Sequence, residues 1–98
     1  MTLAKTFELA AAEIEKRGWC RESIEDESGA VCAWGAVKAV LGGSPRCTTS
    51  LDALNAERYW EESTGRIMVV WNDAAGRSAE QVTAKLRELS IRAKEEGL

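Results

Sequence analysis

Ninety-eight residues with 13 Lys and Arg, 16 Asp and Glu and no His carry a formal net charge of −3. Apolar residues at 45% and charged residues at 30% describe a folding chain rather than a disordered one, and the length suits a single domain with one core. The absence of His rules out Ser-His-Asp and Cys-His triads and removes the commonest zinc ligand.

Lys5, Glu8 and Glu13 interrupt the first apolar stretch, so no signal-peptide core is present. The longest apolar run, Ala30 to Leu41, contains Lys38 and is far too short to cross a membrane. Cys20, Cys32 and Cys47 are odd in number and too sparse for a stapled secreted scaffold. The expectation is a cytoplasmic chain with buried or half-buried thiols, no metal and no cofactor. The densest basic segment, Lys85, Arg87, Arg92 and Lys94, is broken by Glu88, Glu95 and Glu96. That is a solvated helix face, which argues against nucleic acid as a partner.

Along the chain, Leu3, Phe7, Ala10 and Ile14 recur at the spacing of an amphipathic helix over residues 3–17. Thr2 can cap it, and Gly18 can close it in a left-handed turn. An acidic loop over 21–29 leads to Ala30–Leu41, apolar nearly all round and therefore the predicted central helix. Gly35 inside it costs about 1 kcal/mol against Ala unless a neighbour needs the space. Gly42-Gly43-Ser44-Pro45 ends it. Thr48, Thr49 or Ser50 can cap a third helix over 51–62, with Leu51 and Leu54 facing inward and Tyr59 or Trp60 following. Gly65 breaks it. Ile67 to Trp71 suits either a short buried strand or a helical turn, and helix or irregular structure is the preferred reading. Asn72 to Arg77 forms a polar turn. Ser78-Ala79-Glu80-Gln81 matches a capping box, and Val82, Leu86, Leu89 and Ala93 stripe a last helix over 79–96 that Gly97 terminates. The predicted fold is all-α: one bundle of four main helices, with a short strand or extra turn near 67–71.

Gly18-Trp19, Cys32-Ala33-Trp34-Gly35-Ala36, and Trp71-Asn72-Asp73 with Gly76-Arg77 together resemble a family of small proteins from actinobacteria and their phages. Its members carry G-W, C-x-x-G-A and W-N-D-x-x-G-R motifs. The likeness spans most of the chain, and W-N-D-x-x-G-R is its most specific part. It implies a shared fold and a phage or mobile-element provenance, and it brings no known activity.

Each chemically suggestive residue has two readings. Asn72 and Asp73 can build a turn by bonding backbone donors, and Asp73 can pair with Arg77 or sit at the last helix's positive end. Alternatively, Cys32, Trp71, Asn72, Asp73 and Arg77 converge as a small-ligand or nucleotide pocket walled by Trp71. Cys32, near a helix start, is either an activated thiol or a small buried apolar group. Gly42 to Arg46 can cradle an anion or simply stop a helix. Four Trp against one Phe and one Tyr exceed the needs of a small core. Trp34 belongs inside, while Trp19 and Trp60, with Glu61 on an acidic rim, can anchor an interface. The leading expectation is a non-enzymatic binding protein that engages a host protein, with a homodimer through the first helix's stripe as a further possibility. The ligand pocket is the alternative.

Overall fold

The computed structural model describes residues 1–98. Helix α1 spans Leu3–Arg17, as its stripe predicts. Thr2 Oγ1 accepts from the Lys5 amide at 3.1 Å, satisfying one of the first-turn donors. Phe7, Ala10, Ala11 and Ile14 are buried along one side. Gly18 follows at φ 96° and ψ 162° rather than in the expected left-handed turn. A side chain there would be strained, and the extended exit sends Trp19 toward the centre of the molecule.

Helix α2 is Ala33–Gly42, three residues later at its start than the predicted Ala30. Ala30 and Val31 are extended because their backbone is used elsewhere. Val31 bridges Trp19 in parallel and Glu25 in antiparallel fashion, its amide donating to Gly18 O and its carbonyl accepting from Cys20 N. Cys32 then caps α2, its Sγ accepting from Gly35 N at 3.4 Å. Gly43 ends the helix in the left-handed conformation.

Helix α3 (Leu51–Thr64) is capped by Ser50, whose Oγ accepts from Ala53 N. Its orientation corrects the sequence reading. Leu51 and Leu54, predicted to face inward, are 72% and 54% exposed, while Ala53, Ala56 and Trp60 face the core. The two alanines let the helix backbone approach closely, and Trp60 fills the space beyond them. Helix α4 (Met68–Asn72) occupies the ambiguous segment, so the ordered elements are five helices and no strand. It turns Met68 and Asn72 inward and leaves Ile67 and Val70 exposed.

Helix α5 (Ala79–Glu95) starts with both halves of the capping box formed between Ser78 and Gln81. At its end Gly97 adopts φ 78°, its amide donates to Lys94 O, and Leu98 N donates to Ala93 O, the Schellman arrangement.

Helix α1 packs chiefly against α5 and α2, α3 lies across α2 and α1, and α4 fills the angle between α2 and α3. The shared core includes Phe7, Val31, Val37, Trp60, Met68, Val82, Leu86 and Leu89. Trp60 is its largest member, with its ring edge-on to Trp71 at 5.3 Å between centroids and tilted against Phe7 at 6.5 Å. Such pairs add about 1 kcal/mol each beyond area burial. The α1 stripe, considered above as a dimer surface, is consumed by this core and offers nothing to a second copy. Trp34, expected inside, sits half-buried at the edge with the Lys38 ammonium over its ring. No helix is long and apolar enough to cross a membrane.

Gly35 shows what the tolerated glycine is for. A Cβ there would collide with the backbone oxygen of Ile24, which the neighbouring Cys32 amide holds in place at 3.3 Å. Gly35→Ala should therefore lower stability by about 1–3 kcal/mol despite Ala's better helix propensity. Urea denaturation checks this, and an unchanged or raised midpoint would contradict it.

Candidate functional site: the Asn72 junction and the α3–α4 face

The three motif segments meet at one side chain. Asn72 is fully buried, and its carboxamide makes four hydrogen bonds. Its Oδ1 accepts from Trp19 Nε1 at 2.7 Å and from Ala33 N at 3.0 Å, while Nδ2 donates to Cys20 O at 3.1 Å and to Asp73 Oδ1 at 2.9 Å. That is the full capacity of an amide. The loop after α1, the start of α2 and the end of α4 are thus tied through one group.

The surrounding motif residues complete the junction. Asp73 Oδ1 also accepts from the Glu22 amide at 3.0 Å, supporting Glu22 at φ 62°. Arg21 donates to the carbonyls of Asp73 and Ala74 at 2.8 and 3.0 Å, satisfying acceptors just beyond α4. Arg77 lies flat on Trp71, 3.5 Å from the ring centroid, and its Nε donates to Trp71 O at 2.8 Å. The anticipated Asp73–Arg77 ion pair is not formed, because each side chain is engaged by backbone on a different side of the turn.

The five residues of the pocket reading are therefore divided. Cys32 and Asp73 line one cleft of about 180 Å³ with Glu22, Ser23, Ile24 and Val69. Asn72 is committed to the four hydrogen bonds above, and Trp71 and Arg77 cover each other instead of walling that cleft. The cleft is smaller than the roughly 300 Å³ at which small-molecule sites begin. Its thiol is not activated either. Burial raises the Cys32 pKa above the ordinary thiol value, more than the Gly35 amide lowers it, so the helix-start effect does not prevail. Burial likewise pushes the Cys20 thiol up to about 11, with Cys32 and Asp26 nearby adding to the shift.

The other candidates are structurally occupied. Glu25 pairs with Arg17 at 3.3 Å and with Arg46 at 3.2 Å, so the Arg46 considered for an anion cradle is already facing a carboxylate. Asp26 Oδ1 accepts from Ser28 N, Ser28 Oγ and Ala30 N, and that bonding lowers its pKa. These groups line an open polar hollow with no hydrophobic wall. No three His, Cys, Asp or Glu side chains converge to hold an ion. Among the expected interface residues, Trp60 is wholly enclosed and cannot touch a partner. Trp19 is half-buried and directed inward by Asn72, while Glu61 is exposed.

One surface emerges that the motifs do not mark. Leu51 and Leu54 on α3 and Ile67 and Val70 around α4 are exposed large apolar side chains. Glu57 joins the two helices, its Oε2 accepting from Met68 N at 2.9 Å and so capping α4, whose own Ile67 cannot. Leu54 and Glu61 lie one turn to either side of Glu57 along α3, on the side of the helix that Glu57 joins to α4. None of the six ion pairs involves a residue of α3 or α4. The sequence signal for this face was the competition between two stripes. Leu51 and Leu54 continue into Arg58 and Glu61, whereas Ala53 and Ala56 continue into Trp60.

Fold and site together describe a small all-α protein in which the segments around Trp19, Cys32 and Asn72 lock the interior. The chain belongs to DUF6197, a family of unknown function whose profile matches residues 1–90. No curated protein and no solved structure matches it.

Two expected outcomes follow from this geometry. Asn72→Ala strands the Trp19 indole N–H, the Ala33 amide and the Cys20 carbonyl, and should cost roughly 3 kcal/mol or more by chemical denaturation, since each buried orphan costs about 1–3 kcal/mol. Glu57 titrates in the opposite sense to most acids. Its pKa is raised, first by burial and also by Glu61, so folding makes its carboxylate easier to protonate than in the unfolded chain. Its contribution is therefore largest below the ordinary glutamate value and declines as pH rises through the folded value. Glu57→Gln keeps an acceptor for Met68 N without the buried charge, so its melting temperature at neutral pH should equal or exceed that of the wild type. Glu57→Ala, losing the cap, should lose about 1 kcal/mol. A Gln variant as damaged as the Ala variant would show that the charge itself is required.

Proposed function

We propose that this chain is a non-enzymatic binding protein that works by protein–protein contact, with the α3–α4 face as its contact surface. The observation carrying this reading is that Leu51, Leu54, Ile67 and Val70 are exposed on α3 and around α4, and that no charged side chain of α3 is ion-paired. Scattered exposed apolar residues need no explanation, but grouped ones flanked by polar groups characterise contact surfaces. The absence of His, the elevated thiols and the small cleft give no support to a catalytic alternative. The resemblance to actinobacterial and phage proteins adds a source for the partner: a protein of the host cell, met in its cytoplasm.

The contact surface differs from the sequence expectation, which placed it at Trp19, Trp60 and Glu61. Only Glu61 stays on it. Leu54→Ser/Val70→Ser should abolish retention of a specific protein from host lysate while leaving the melting temperature within a few degrees of the wild type, because about half of each residue's surface is already in water. Ile91→Ser, on the exposed side of α5, is the control and should retain it. Equal retention by all three proteins would refute the assignment of the face.

A further inference from the structure

Resting on the reading of α3–α4 as a protein contact, we infer that the segment of the partner seated there is a basic amphipathic helix. The charge along the side of α3 that carries Leu54 is unbalanced: Glu57, Glu61 and Glu62 stand against Arg58. No ion pair neutralises any of them, whereas Arg17, Arg46 and Arg87 elsewhere on the molecule each face a glutamate. Around Glu57 the imbalance is sharpest. It is half-buried, lies one turn from Glu61, and has one carboxylate oxygen held by Met68 N. Two carboxylates this close repel each other, and a cation placed between them removes the repulsion and repays part of the desolvation.

The apolar residues set the shape of the occupant. Leu54 precedes Glu57 by one turn on α3, with Leu51 a turn further, while Ile67 and Val70 flank Met68, so the Glu57–Met68 hydrogen bond links the two apolar sets. A partner helix with apolar residues at i, i+3, i+4 and i+7 matches a two-helix surface of this kind, and its flanking Lys or Arg would reach Glu61 and Glu62. An extended strand has no sheet edge to pair with here, since the face is built of helices. Phosphate-bearing partners, whether nucleic acid or anionic lipid, are repelled by the net negative charge. A second copy presents the same excess of carboxylates and would juxtapose like charges.

The test uses the full 15N-labelled chain and two synthetic helical peptides, each about five turns long. One has Leu along a single face and Lys elsewhere, and the other has Glu in place of every Lys. The Leu/Lys peptide should shift amides within residues 51–62 and 67–70, with binding that weakens as salt is raised. Glu61→Lys/Glu62→Lys should weaken that binding roughly tenfold or more at unchanged melting temperature, as expected for reversed charges at a contact. Shifts that map instead to the acidic loop over residues 22–27, or no shift at millimolar peptide, overturn the inference. Equal binding of the Leu/Glu peptide at the same face also overturns it, while leaving α3–α4 as a protein contact. So does a concentration-dependent dimer in sedimentation whose broadened amides fall on this face, which would make a second copy the occupant. Loss of lysate retention in the Leu54/Val70 variant is read separately, so a failure of the charge inference is distinguishable from a failure of the contact surface.

Discussion

The carboxamide of Asn72 is the constraint on which the rest of this molecule depends. A polar side chain is expensive to bury unless every donor and acceptor is met, and this one is met four times over. Its partners come from three separate stretches of chain, so the amide specifies their mutual positions as apolar packing alone cannot. Fully satisfied polar networks rigidify a core, while partly satisfied ones penalise it, which makes the junction all-or-none. Gly18, Trp19, Cys32, Gly35, Trp71 and Asp73 all support it, by giving the chain its turns, its close approaches or its remaining hydrogen bonds. Residues that look like a chemical site in sequence are here the means by which the chain closes on itself.

Around that junction the energetics are those of a small helical protein. The ion pairs are all at least partly solvent-exposed, so water and salt screen them and they add little to stability. Caps, the Schellman closure and the aromatic group of Phe7, Tyr59, Trp60 and Trp71 supply the directional part of the stability. Helix α4 is the most dependent element. At five residues it is far too short to persist alone, and it is held by Glu57 at one end, Arg21 beyond the other and Asn72 from within. Holding it there also leaves Ile67 and Val70 exposed to solvent. The interior junction and the outward face are thus two consequences of the same placement.

How much was legible in advance varies from element to element. Helices α1 and α5 were read to within a residue because three signals agreed in each: a single apolar stripe, a side-chain cap and a terminal glycine. Helix α2 was read as starting too early because Ala30 and Val31 are as apolar as the helix proper. Only their pairing with Trp19 and Glu25, remote from any local pattern, makes them extended. In α3 the two leucines lost to a stripe of smaller alanines that ends in Trp60. Trp60 and two alanines bury a large ring while keeping the helices close, a matter of shape that hydrophobicity does not encode. The candidate site suffered the same limit. Cys32 and Asp73 do share a cleft, but whether Arg77 points into it or onto Trp71 depends on the course of the turn in three dimensions.

By itself the sequence determined the helical class, the capped ends of α1, α3 and α5, the lack of a histidine-based catalytic group and the three segments that matter most. Those are local or compositional properties, set by periodicity, capping chemistry and the presence or absence of a residue type. Tertiary structure alone decided that the three segments meet at Asn72, that Trp60 lies at the centre rather than on the surface, and that Leu51, Leu54, Ile67 and Val70 remain outside. The physical reason is common to all three. A helix has more apolar surface than one core can cover, and which part of it is covered is settled by volume, by close approach and by the partners of buried polar groups.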